Sequence, residues 1–307
     1  MQTVVACKDK SSQVAFSDLT NFTFKEILGG DVARKAIFVH LEHIEEKKPA
    51  ILICDKHPFV EDGGVIEEWV KGSKLRLLSS NSIYGNYEML LPEKFNEVKS
   101  TFIYPATQNH IEKYRRQDVF MIYETPEDYE KITLQYINES HMSVSWVHNL
   151  LDKKAEVDRI ILEEEDKSTG FIVAPDLKWN GTDVDNLYLQ AIVHRRDIRS
   201  VRDLTADELP LLEGIRDKVL QLLKEKWALS KGQVKMYFHY QPSYYHLHIH
   251  IINIKYEAPG LTSTSIDLFT VIDNLKLFPD YYKKATLPFV RKRTDALYQK
   301  FAEFRHV

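Results

Sequence analysis

The chain predicts an α+β fold, and three observations carry that reading. The first is the stretch His246-Leu247-His248-Ile249-His250-Ile251-Ile252, where polar and apolar residues alternate with the period of a half-buried strand. The second is one long amphipathic segment, roughly Thr205 to Trp227. Its apolar residues Leu209, Leu212, Ile215, Val219, Leu222 and Leu223 follow helical spacing. The third is the distribution of the rest: strand-like runs and short helices to about residue 115, then strands gathered around that one long helix.

Taken in order, Ala36–Leu41 and Ala50–Cys54 read as adjacent strands joined by the charged turn Glu45-Glu46-Lys47-Lys48-Pro49. Asp62-Gly63-Gly64 breaks the chain before a short helical pattern to Val70. Leu75–Leu78, Tyr87–Leu91 and Thr101–Tyr104 read as further strands, and Ser79–Tyr84 as an ordinary turn. Pro105, the charged run Lys113–Asp118 and Pro126 mark a change of character. The domains are therefore expected at 1–112, a small α+β unit, and 113–307. A helix starts near Pro126, since proline suits a first helical position. Another carries Val144–Leu151. Asp158–Leu162, Gly170–Ala174 and Leu187–Val193 are strand-like, with Pro175 ending the second. Thr205 and Glu208 fit a capping box, although Pro210 removes one early hydrogen bond. Val234–Tyr240 and the histidine strand follow, then helices near Ser265–Leu275 and from about Asp295. Pro242 is incompatible with a tight primed turn, so the loop before the histidines is longer.

Composition narrows the function classes. The apolar share of 44% is ordinary for a globular chain, so a core of normal size is expected. A net charge of −4 excludes a general polyanion binder, and leaves double-stranded nucleic acid an unsuitable partner. Two cysteines, Cys7 and Cys54, make neither a disulfide framework nor a cysteine-rich metal site, which suits a reducing compartment. No run is apolar enough for a membrane span and no signal-peptide pattern is present, so a soluble, intracellular protein is expected.

In a strand, side chains at i, i+2 and i+4 share a face. His246, His248 and His250 therefore line one side, and Leu247, Ile249 and Ile251 the other. Alternation in Val234–Tyr240 puts His239 on the histidine side if its apolar set joins the core. Three neighbouring imidazoles suit metal ligation or nucleophilic attack by one ring held by its neighbours. Arg195, Arg196, Arg199 and Arg202 read as a solvated charged face that could steer a polyphosphate locally.

The His-φ-His-φ-His-φ-φ pattern resembles the histidine triad motif of nucleotide hydrolases and transferases. With His239 and Pro242-Ser243-Tyr244-Tyr245 in front, it is similar to one branch, the scavenger mRNA decapping enzymes. Trp146–Glu156 and Pro175-Asp176-Leu177-Lys178-Trp179 extend the resemblance, which covers roughly residues 30 to 300. The resemblance implies a C-terminal histidine triad domain with a mostly antiparallel sheet, and a small first domain exchanged between chains of a homodimer. It implies His248 as nucleophile, His250 on the phosphate oxygens or leaving group, His246 as the residue that orients His248, and His239 and Ser243 at the phosphates. Trp146 would stack on the cationic 7-methylguanine and Glu156 would accept from its N1–H and amine. Leu177 would cover the opposite face, Asp176 would accept from ribose, and Lys178 and Tyr188 would hold phosphate, with Pro175 lining the site. Asn81 of the first domain would read the guanine O6.

The expected activity is hydrolysis of a 7-methylguanosine cap dinucleotide or short capped RNA, with no cofactor and no metal. The expected products are 7-methylguanosine monophosphate and a diphosphate, formed through a nucleotidyl-histidine, and the expected locations are the cytoplasm and the nucleus. Three alternatives stand beside it: a general dinucleoside polyphosphate hydrolase or nucleotidyl transferase, a non-catalytic cap-binding module, and a metal site on His246, His248 and His250.

Overall fold

The structure is a computed structural model that describes residues 16–305 apart from 140–143, 259 and 262. Cys7 lies outside the described residues. The chain divides into two compact units, one through Arg116 and one from Gln117. Among the described residues, no helix is long and apolar enough to cross a membrane.

In the first unit, β1 (Phe22–Asp31), β2 (Ala36–His43), β3 (Pro49–Lys56) and β6 (Val98–Ile103) form one antiparallel sheet in the order β1-β2-β3-β6. Between β3 and β6 lie a helix, Gly63–Gly72, and a hairpin of β4 (Lys74–Asn81) and β5 (Tyr84–Leu90). The Asp62 side chain caps the helix by accepting from the Val65 amide at 3.0 Å. Leu28, Ile51, Ile53 and Ile111 make this unit's core. The turn expected over Ser79–Tyr84 is tighter than that. Ser79, Ser80 and Asn81 continue the strand, and only Ser82 and Ile83 turn, with Ser82 at φ 53°.

The second unit is built on a six-stranded antiparallel sheet, order β13-β11-β12-β10-β9-β8. Its strands are β8 (Leu162–Glu164), β9 (Phe171–Pro175), β10 (Tyr188–Val193), β11 (Val234–His239), β12 (His248–Asn253) and β13 (Ser265–Asp267). The helix Leu209–Trp227 buries Leu211, Leu212, Ile215, Val219 and Leu223 in the same core as Leu189, Ile249 and Ile251. Thr205 and Glu208 do form a capping box, but on a 3-10 turn that precedes the helix. A separate two-stranded ribbon pairs β7 (Val119–Glu124) with β14 (Leu287–Lys292).

Several expectations are corrected here. The strand expected over Asp158–Leu162 begins only at Leu162, because Val157–Arg159 coil into a 3-10 turn. The helix expected from Ser265 starts at Leu268, after β13 pairs with β11 and Asp267 caps it. The histidine strand is not half-buried. It lies between β10 and β11, and every residue of His248–Asn253 is buried. Its regular hydrogen bonding begins at His248, so His246 and Leu247 lead into it.

The arginine run is a solvated face only in part: Arg196 is exposed and Arg195 and Arg199 are half-buried, but Arg202 belongs to the core. Arg202 is 2% exposed. It donates to the Glu124 carboxylate at 2.8 and 3.0 Å and to the carbonyls of Tyr282 and Ala285 at 2.8 and 2.6 Å. Arg195 pairs with Asp197 and Glu208, and Arg196 with Asp152.

Candidate functional site

His248 sits where β12 enters the sheet, and its ring is held on two sides. Nδ1 lies 2.8 Å from the His246 carbonyl oxygen. A carbonyl only accepts, so Nδ1 carries the proton and Nε2 carries the lone pair. Nε2 is buried and has no hydrogen-bond partner. The Tyr244 ring stacks on the imidazole with centroids 4.0 Å apart and planes 12° from parallel. Burial, only partly offset by the His246 carbonyl, pulls the His248 pKa down to about 4. The ring is therefore neutral at pH 7, with its free electron pair on Nε2.

The other histidines take different places. His250 pairs across to Gln190 on β10 and to Tyr237 on β11. Its Nδ1 lies 2.8 Å from the Tyr188 hydroxyl, and its buried Nε2 is unpartnered. Burial and the nearby His248 and His239 hold its pKa well below the usual imidazole value. His239 is brought to the same side, with its ring 4.4 Å from that of His250. Burial, then Lys178, lowers the His239 pKa to about 4. His246 turns away from this group. Its Nε2 donates to the Val193 carbonyl at 2.8 Å, and its ring lies 5.9 Å from that of His148. The side chain thus faces β10, while its own carbonyl sets the tautomer of His248. Among the described residues, no group of three histidine, cysteine or acidic side chains is arranged to hold a metal ion.

A cleft of about 430 Å³ opens beside these residues. Trp146, Glu156, Pro175, Asp176, Leu177, Lys178 and Ser243 all line it. Trp146 projects from the helix Ser145–Leu151, whose Val147, Leu150 and Leu151 are buried. Trp146 is 44% exposed and Leu177 is 86% exposed, a high cost for two large apolar residues unless something covers them. Glu156 takes a left-handed backbone conformation, φ 57°. Its carboxylate is paired with Arg159, which also donates to the Pro175 carbonyl at 2.6 Å. Asp176 is 6% exposed and has a partner on each oxygen. One oxygen accepts from the Lys178 amide at 2.9 Å and the other from Gln190 Nε2 at 2.6 Å. The Lys178 ammonium lies 3.4 Å from the same carboxylate and 5.4 Å from the Tyr188 ring centre. The floor of the cleft is Tyr244, whose other neighbour is His248.

Asn81 belongs to the first unit. It ends β4, is exposed, and pairs with Tyr84. The sequence reading missed three side chains that shape the cleft. Tyr244 carries no signal beyond its motif, Gln190 lies hidden in an apolar strand, and Arg159 lies in the 3-10 turn that precedes β8. Nothing in their spacing marks them: Tyr244 and Gln190 meet although distant in sequence, and Arg159 reaches both its near neighbour Glu156 and the distant Pro175 carbonyl.

Two family models match the chain. The N-terminal model of the scavenger mRNA decapping enzyme covers residues 17–117, and the model described as its C-term binding region covers residues 145–266. Similar curated proteins carry the name m7GpppX diphosphatase. The one from Ascaris suum is 51% identical over 92% of this chain and 94% of its own length. The one from Caenorhabditis elegans is 45% identical over 93% of this chain and 92% of its own. The one from Homo sapiens is 40% identical over 92% and 86%. With both models matched in order and identity at this level over nearly all of each relative, the chain belongs to the scavenger mRNA decapping enzyme family.

Proposed function

We propose that this protein is an m7GpppX diphosphatase that hydrolyses the cap dinucleotide or short capped RNA left by mRNA decay. The products are 7-methylguanosine monophosphate and a diphosphate-ended nucleotide or RNA. The observation that carries the mechanism is the tautomer of His248. Its proton is committed to the His246 carbonyl, so Nε2 is free to attack the phosphorus attached to 7-methylguanosine. Burial keeps the ring neutral at working pH, so no base is needed to activate it. His250, His239, Lys178, Tyr188 and Ser243 hold the phosphate oxygens, and His246 fixes the nucleophile through its backbone oxygen.

In the cleft, the base lies between Trp146 and Leu177. The indole face attracts the cationic methylated ring, and Glu156 accepts from its N1–H and amine. Asp176, beside Pro175, accepts from the ribose, and Asn81 completes recognition at O6. We infer a homodimer with exchanged first domains as the source of that last contact. The exposed apolar side chains of the β4–β5 hairpin, Leu75, Leu77, Tyr87 and Met89, support such an assembly.

The decisive assay gives the purified protein 7-methylguanosine cap dinucleotide and its unmethylated twin, and identifies the products. The expected result is 7-methylguanosine monophosphate plus diphosphate, strong preference for the methylated substrate and no effect of chelator. His248→Asn abolishes turnover and retains cap affinity. Near wild-type turnover by His248→Asn, or activity lost to chelator and restored by metal, overturns the mechanism. Equal turnover of the two dinucleotides overturns the assignment of substrate.

A further inference from the structure

We propose that Tyr244 stabilises the positive charge that His248 acquires when its Nε2 bonds to phosphorus. The inference rests on the covalent-histidine reading above and adds a residue to it. In the first step the Nε2 lone pair forms the N–P bond. The P–O bond to the departing diphosphate breaks, and its electron pair leaves on that oxygen. Nδ1 keeps its proton on the His246 carbonyl, so the ring is now substituted at both nitrogens and is a cation. In the second step a water oxygen bonds to phosphorus, its proton passes to solvent, and the N–P pair returns to Nε2.

The surroundings of His248 make that cation costly. The ring is buried, and its only hydrogen-bond acceptor among the described residues is a neutral carbonyl, not a carboxylate. The ring of His250 lies 4.9 Å away, and a second positive charge there would repel it. What faces the imidazole plane is Tyr244, parallel to it at 4.0 Å. A π face at this distance attracts a cation, and the attraction grows when both are removed from water. Tyr244 is also tuned. Its hydroxyl donates to Gln190 Oε1 at 3.1 Å, and Gln190 Nε2 donates to the Asp176 carboxylate at 2.6 Å. The chain ends on a buried anion, so it draws the phenol proton outward and enriches the ring in electron density. The Trp146 ring meets the Tyr244 ring edge to face at 5.0 Å, which fixes its plane from the cleft side. One aromatic ring thus touches both the cleft and the reacting imidazole.

The test replaces Tyr244 with phenylalanine and then with 4-fluoro, 3,5-difluoro and 3,4,5-trifluoro phenylalanine. The rings are nearly isosteric, and each fluorine weakens the π face. We expect log kcat to fall stepwise along the series, by about threefold to tenfold overall, from the range of cation–π strengths. KM for cap dinucleotide and the melting temperature should stay constant. Gln190→Leu should lower kcat in the same direction. A flat kcat series, or a fall that tracks melting temperature, overturns the role of Tyr244. The covalent reading is checked separately by the stereochemistry at the attacked phosphorus, using a chiral phosphorothioate cap analogue hydrolysed in heavy-oxygen water, so that the product phosphorus stays chiral. Retention marks two displacements and supports the intermediate. Inversion marks direct attack by water and overturns both.

Discussion

At the scale of single residues, burial sets the chemistry. The unperturbed imidazole value of about 6.5 would place an acid limb of activity in the physiological range. Burial moves His248 to about 4. We therefore predict that kcat/KM, measured by initial rates across pH, shows no loss near 6.5 attributable to His248. Its acid limb lies toward 4, because only protonation of Nε2 removes the attacking electron pair. The same shift bears on stability. His239 and His248 have folded values near 4, below the unfolded value of 6.5. Below 6.5 the unfolded chain binds protons that the folded chain refuses. Stability is intact above 6.5 and declines as the pH falls from there toward 4. Thermal melts at pH 7.5, 6 and 5 should show a falling melting temperature. His239→Gln should flatten that fall. Recognition is also a matter of single side chains. Trp146→Ala should weaken binding of 7-methylguanosine monophosphate by about 1–3 kcal/mol, the usual range for base stacking, as read by titration. An unchanged affinity would mean that the base lies elsewhere.

At the scale of elements, the loop that carries Ser243 and Tyr244 is clamped from beneath. Gln241 Nε2 donates to Glu124 Oε2 at 2.9 Å, and the Tyr245 hydroxyl donates to Gln241 Oε1 at 3.0 Å. Glu124 is completely buried, and Tyr240, Thr133 and Arg202 also bond to it. Removing one partner of a buried pair strands the other charge, a cost of about 3–5 kcal/mol. Glu124→Ala should lower stability by about that much in denaturant unfolding, with loss of activity from the displaced loop. A change under 1 kcal/mol, roughly the value of a surface pair, would refute the assigned burial. The long helix offers the opposite case. It ends on Ala228 at φ 54°, a left-handed conformation that favours glycine. Ala228→Gly should raise stability by about 0.5–1 kcal/mol, because it relieves the Cβ strain at the cap.

At the scale of the whole molecule, the proposed site draws Asn81 from the first unit and the other groups from the second. An exchanged homodimer would supply it. Light scattering should then report twice the chain mass of 35.9 kDa. Leu77 and Met89 are 55% and 46% exposed, so Leu77→Glu with Met89→Glu leaves the described cores intact while placing charge on the hairpin. That double variant should shift the protein toward monomer and lower cap hydrolysis together. A fully active monomer would exclude the exchange.

The sequence alone determined the α+β class, the strand that carries the histidines and the long helix with its buried face. These rest on local periodicity, which a chain displays wherever one side of an element meets the core. Spacing put His246, His248 and His250 on one face; the structure keeps His248 and His250 together, brings His239 to them as the alternation in Val234–Tyr240 implies, and turns the His246 ring toward the Val193 carbonyl instead. Only the tertiary structure decided which nitrogen of His248 is free. That follows from the His246 carbonyl and from burial, and neither has a sequence signature. It also decided that Arg202 is a core residue, since its partner Glu124 sits on a strand with no strong pattern of its own. The union of Trp146, Glu156, Asp176 and Lys178 around one cleft came from the order of β8, β9, β10 and β12 in the sheet, as did the Asp176–Gln190–Tyr244 chain. Pairing partners are chosen by long-range packing, so no window of sequence contains them.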